Sequence, residues 1–164
     1  MTATKCWLRV SLPPSFSVKS DHMKSQALRG EYALVGMAES AVGVVPDKSP
    51  RELCVEVTLN AVKDAGLTLS DCDGLITCNA FAEPILYHAE AVAEYLGWQP
   101  RHCVTVNTGG GTTFMAINMA IAAIAAGMAD TIVVSMADSL RSFMTRDQAM
   151  VVQSSSGHPH YEQP

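Results

Sequence analysis

The stretch Val106–Gly127, VNTGGGTTFMAINMAIAAIAAG, decides the reading of this chain. It leaves a β-branched run, CVTVN, turns through Gly109, Gly110 and Gly111, and enters a segment with almost no polar residue. Glycines between a strand and a helix start allow a tight turn and let another backbone or a ligand come close. The helix predicted from about Thr112 to Ala126 ends at Gly127, and DTIVVSMA follows as another strand. A helix on an open sheet should keep one wet side, and this one has no polar stripe, so the pattern asks for a second layer over it.

The same alternation extends backward. CVTVN reads as a strand buried on both faces. Before it, EPILYHAEAVAEYLG reads as a helix with Glu90 and Glu94 outward, and DCDGLITCNA as a turn followed by a strand from about Gly74 to Cys78. SPRELCVEVTLNAVKDAG carries helix punctuation: Ser49 as cap, Pro50 in the first turn, Glu52 closing a capping box and Gly66 after the end. Its wet edge is Glu52, Glu56, Asn60 and Lys63. YALVGMA, from Tyr32, reads as a short buried strand. The result is an α/β domain with a mixed, mostly parallel sheet. Residues 1–30 have no periodicity and read as a flexible or mis-assigned extension, with Met23 as an alternative start. Residues 31–140 form the domain, and residues 141–164 read as the beginning of a loop segment of a truncated chain.

Composition narrows the function. In 164 residues, 48% are hydrophobic and 16% charged, enough for a core and little for an open surface. The net charge of −5 and the absence of a basic run argue against nucleic acid and anionic membranes as partners. Phe114–Ala126 is too short to span a bilayer. Five cysteines without a CxxC pair read as reduced thiols of a cytoplasmic protein rather than a zinc site.

Three runs, SPRELCVEVTLNAVKDAGLTLSDCDGLI, VTVNTGGGTTFMAINMAIAAIAAGMADTIVV and SMADSL, resemble the amino-terminal half of the thiolase superfamily, especially its sterol-carrier-protein-type and thiolase-like members. The resemblance implies a layered fold of two similar halves with the third helix between two sheets. It implies a homodimer, or a hetero-oligomer with a small acyl-coenzyme A-binding partner. It also implies carbon–carbon chemistry next to a thioester carbonyl, with the coenzyme A thioester as substrate and no separate cofactor or metal. The family's nucleophilic cysteine falls on Gly110, among Thr108, Gly109, Gly111, Thr112 and Thr113. Neither Cys78 nor Cys103 lies at that place.

Covalent acyl transfer needs a thiolate, so the chain alone is not expected to be a competent thiolase. An aldolase or condensing subunit needs an enolate stabiliser instead, and backbone N–H groups at a helix start supply one. The candidate substrate contacts are therefore Thr108, Gly109, Gly110 and Gly111, followed by Asp138 and Ser139 after the fourth strand. A dinucleotide-binding domain is a rival, with Asp138 as the ribose acid, but Phe114 stands where the fingerprint needs glycine or alanine. A non-catalytic half-length fragment is another alternative. His158 and His160 look ligand-like, Asp71 and Asp73 suit a turn, His88 reads as half-buried packing, and Asn118 needs a partner if its helix is buried.

Overall fold

The chain is described at residues 6–9, 28 and 30–155 in a computed structural model. Five strands form one sheet in the order β2-β1-β5-β3-β4. The strands are β1 (Cys6–Arg9), β2 (Ala33–Leu34), β3 (Gly74–Thr77), β4 (His102–Thr105) and β5 (Thr131–Ser135). The last three are parallel, with Leu75 opposite both Cys103 and Val133. β1 runs antiparallel to β5 and to β2, so the sheet is mixed.

Helices cover the two faces. α1 (Pro50–Asp64) and α2 (His88–Tyr95) pack on one face, α3 (Thr112–Ala125) on the other. The strands divide their side chains accordingly. Leu75 and Val133 meet Leu53, Val57, Ala61 and Val92, whereas Ile76, Ile132 and Val134 meet Ala116, Ala120, Ala123 and Ile124. Burial on both sides explains the apolar runs of β3 and β5, whereas CVTVN, expected to be buried on both faces, contributes the edge strand β4 and is only half-buried there. Alanines at 116, 120 and 123 let α3 lie close to the sheet.

α1 carries both bonds of the capping box, Glu52 N–H to Ser49 Oγ and Ser49 N–H to Glu52 Oε2. Its predicted wet residues Glu52, Asn60 and Lys63 are exposed and Glu56 is partly so; Leu59 shares that side. Asp73 ties the amino ends of the parallel strands together by accepting N–H bonds from Asp130 and Thr131 and pairing with Arg101 at 2.8 Å.

Several expectations are corrected. YALVGMA is not a buried strand: only Ala33–Leu34 pair, and both are exposed. Within residues 1–30, Cys6–Arg9 lie in the sheet as β1. α2 begins at His88, not at Glu83, because tertiary bonds hold the preceding residues in a loop described below. The expected loop after residue 140 contains two helices, α4 (Leu140–Phe143) and α5 (Arg146–Ser155). Thr145 and Gln148 form a reciprocal cap at the start of α5. The outer side of α3, with Phe114, Met115, Asn118 and Ala122, is exposed. Asn118 is exposed on this face of the single chain. His158 and His160 lie outside the described residues. Among the described residues, no helix is long and apolar enough to cross a membrane.

Candidate functional site

The carboxyl ends of β3 and β4 form a switch point. The chain leaves β3 toward α2 on one face and leaves β4 toward α3 on the other, the arrangement at which open α/β sheets commonly place a ligand. One hydrogen bond joins the two strand ends, from Asn79 N–H to Asn107 Oδ1 at 3.0 Å. Neither asparagine stood out in the sequence. The available signal was an asparagine soon after each of two predicted strands, but their adjacency depends on the strand order.

The glycine turn forms one wall. Gly109–Gly111 make a single 3-10 turn that runs directly into α3. Thr112 holds this geometry: its hydroxyl donates to Gly109 O at 2.7 Å and accepts the Thr108 N–H at 2.9 Å. Gly109 has φ +66°, a conformation that only glycine adopts without strain. Gly110 and Gly111 are different. Neither has a left-handed φ, and a Cβ on either would meet no atom within 4 Å. Packing and backbone geometry in this chain therefore require glycine at 109 and leave positions 110 and 111 open. α3 begins without a side-chain cap, and the 3-10 turn before it takes up the Thr112 N–H on Gly109 O, so the donors of this helix start are partly engaged within the chain.

Asp138 and Ser139 occupy a separate place, after β5. The Asp138 carboxylate accepts N–H bonds from Phe81 at 2.8 Å, Ala82 at 3.3 Å and Ser139 at 2.8 Å. It clamps the β3–α2 loop to the end of β5. Three backbone donors on one carboxylate leave it poorly placed to serve as a ribose-binding acid. Ser139 is buried, and its hydroxyl has no partner. With Val42, Gly43, Leu140 and Arg141, this pair lines a cavity of about 90 Å³ that includes no residue of the glycine turn. The structure thus groups Thr108 through Gly111 and sets Asp138 and Ser139 apart from them.

The thiols are not poised for nucleophilic attack. Burial, with Asp71 and Asp73 nearby, pushes Cys72 up to about 12. Burial, then Cys54 and Asp138, pushes Cys78 to about 11, and burial with Glu90 does the same for Cys103. Cys54 is buried under β5, its sulfur 2.9 Å from Ser135 Oγ. His88 is wholly buried rather than half-buried, with Nδ1 3.0 Å from Thr77 Oγ1. Burial lowers its pKa, opposed by Glu83 and Asp138 and reinforced by Arg51.

The comparison with solved structures decides the fold. A 3-oxoacyl-(acyl-carrier-protein) synthase III from Aquifex aeolicus VF5 superposes with a TM-score of 0.51 at 17% identity, over 63% of this chain and 35% of that one. An Ltp2–ChsH2(DUF35) aldolase superposes with a TM-score of 0.53 at 30% identity, over 67% of this chain and 29% of that one. The fold is thiolase-like. Among curated proteins, the 17-hydroxy-3-oxo-4-pregnene-20-carboxyl-CoA lyase of Mycobacterium tuberculosis (strain ATCC 25618 / H37Rv) is 31% identical over 119 residues, 71% of this chain. The chain spans 30% of that lyase's length. No family model matches. These relatives are consistent with acyl-coenzyme A carbon–carbon chemistry in the broad sense. The likeness does not single out the sterol-carrier-protein type.

Proposed function

We propose that this chain supplies the carbonyl-binding helix start of an acyl-coenzyme A lyase or aldolase that forms no covalent acyl-enzyme. The observation that carries this reading is the open pair Gly110–Gly111 at the switch point, where a Cβ would meet no atom of the described residues within 4 Å. In a retro-aldol step, a base removes the proton from a β-hydroxyl and the Cα–Cβ bond breaks. The β-carbon becomes a carbonyl, and the electron pair moves into a thioester enolate whose oxygen needs hydrogen-bond donors. Backbone N–H groups at the start of α3 are such donors. A glycine at 110 admits the thioester to that backbone, where a larger side chain would intrude. The proton acceptor we place outside the described residues.

The lyase and aldolase named above support this choice over thiolysis, as do thiols held at about 11 and 12. The pairing in the name Ltp2–ChsH2(DUF35) supports a second, small acyl-coenzyme A-binding subunit, and a homodimer is the other assembly consistent with the exposed outer side of α3. A sterol-type acyl group is the substrate class favoured by the lyase's name. The free thiols fit a reducing, cytoplasmic setting.

The test is calorimetric titration of the purified chain with acetoacetyl-coenzyme A, with NADH as counter-ligand. Saturable thioester binding without coenzyme A release is expected. Gly110→Val should weaken it about tenfold or more, the value of one lost carbonyl hydrogen bond, while leaving the circular dichroism unchanged. Equal binding by the variant, or binding of NADH alone, would overturn the reading.

A further inference from the structure

Buried polar atoms without partners are uncommon, and each calls for an explanation. Among the described residues they are Arg51 Nε, Asn79 Oδ1, His88 Nε2, His102 Nε2 and Ser139 Oγ. All but His102 border the irregular segment between β3 and α2, residues 78–87. Asn79 belongs to it, and His88 follows it directly. Arg51 meets it through Glu83, with N–H to Oε2 at 3.3 Å and guanidinium to Oε1 at 3.4 Å. Ser139 adjoins Asp138, which holds Phe81 and Ala82. The segment is fastened to its surroundings by polar bonds, over a layer that contains unmet hydrogen-bonding capacity.

His88 is the titratable member of that layer. Its Nδ1 is engaged with Thr77, and its Nε2 is buried with no acceptor. A neutral ring with its proton on Nδ1, donating to Thr77 Oγ1, leaves Nε2 without an N–H, whereas an imidazolium carries a second N–H with nowhere to donate. The charged groups facing it are Arg51 from α1, Glu83 from the segment itself and Asp138 from the end of β5. Arg51 repels an imidazolium. The two carboxylates attract it, but they are already engaged with Arg51 and with the backbone of the segment. Meeting a charged His88 therefore draws those carboxylates away from the bonds that hold residues 81–83.

We propose that residues 78–87 are a pH-sensitive gate over the carboxyl ends of β3 and β5, held shut by neutral His88 and released when its ring is protonated. The sign follows from burial. A histidine whose folded pKa is depressed takes up a proton on opening, so the closed form loses stability as pH falls below the ordinary value of 6.5 toward the folded value. The gate does not rest on the proposed function, although Asn79 ties the same segment to Asn107 at the end of β4.

The experiment is hydrogen exchange by NMR on the purified chain between pH 7.5 and 5, reading the amides of Phe81 and Ala82 together with the His88 ring resonances. After correction for intrinsic rates, the opening equilibrium at both amides should rise by up to about tenfold per pH unit below 6.5, as uptake of one proton requires. His88 should titrate below 6.5 over the same range. His88→Gln should flatten the pH dependence, and His102→Gln should leave it intact. Where His88→Gln does not fold, the wild-type titration decides alone. A His88 midpoint at or above 6.5, or loop amides that ignore its titration, would overturn the gate.

Discussion

Replacing Asp138 tests whether this residue is a clamp or a ligand contact. Its carboxylate receives N–H bonds from Phe81, Ala82 and Ser139, two at 2.8 Å and one at 3.3 Å. A typical hydrogen bond contributes about 1 kcal/mol net, and bonds to a charged acceptor about 1.5–3 kcal/mol. The long bond to Ala82 belongs at the low end. Asp138 is itself only partly buried, so water recovers some of the loss. Asp138→Ala should therefore cost about 2–4 kcal/mol. Asp138→Asn keeps one accepting oxygen and turns an NH2 group toward a backbone donor, so about half of that loss is expected. For a chain of this size each kcal/mol corresponds to roughly 2–4 °C in Tm. Asp138→Ala should thus melt about 4–16 °C below wild type, and Asp138→Asn at an intermediate temperature. Thermal and urea unfolding followed by circular dichroism measure both variants. If both variants unfold within about 0.5 kcal/mol of wild type, the clamp reading is wrong, and Asp138 returns to the candidate ligand contacts.

Two further outcomes rest on equally local features. At Gly36, an added Cβ would run into Ala61 O and lie 2.8 Å from Ala65 Cβ, so Gly36→Ala should cost about 1–3 kcal/mol. Gly110→Ala, with no atom within 4 Å, should stay within about 1 kcal/mol of wild type; similar melting temperatures for the pair would contradict the packing argument. Native-state alkylation at pH 7.5, mapped by peptide mass spectrometry, should label Cys78 and Cys103 far more slowly than a free cysteine. A thiol held at about 11 has roughly a 300-fold smaller thiolate fraction than one at about 8.5, and labelling at the rate of glutathione would show that burial does not suppress these groups.

Sequence patterns revealed the parts of this fold whose causes are local. Ser49 and Glu52 are three residues apart and complete their box without outside help, so the start of α1 was legible. The apolar run CVTVN was legible as a strand but not as an edge, because its place beside β3 alone depends on the strand order. Thr145 and Gln148 carry the same kind of signal for α5, but it was masked by the polar segment around them. Other features have distant causes. α2 starts at His88 because Asp138, more than fifty residues away, and Arg51 hold the preceding loop. β1 is a strand because β5 and β2 lie beside it, not because four residues show a period. The Asn79–Asn107 bridge exists only once β3 and β4 are neighbours.

The same distinction clarifies the glycine turn. Read along the chain, Gly109, Gly110 and Gly111 were equivalent, and a crowded turn explained all of them. The structure separates them: the backbone demands glycine at 109, while 110 and 111 are unconstrained by any neighbour. Gly111 is the N-cap of α3, a position glycine commonly takes, so Gly110 alone has neither a cap position nor a left-handed φ nor a close neighbour among the described residues to account for it. That is where the proposed thioester carbonyl would approach, and the Gly110→Val titration is the test of it.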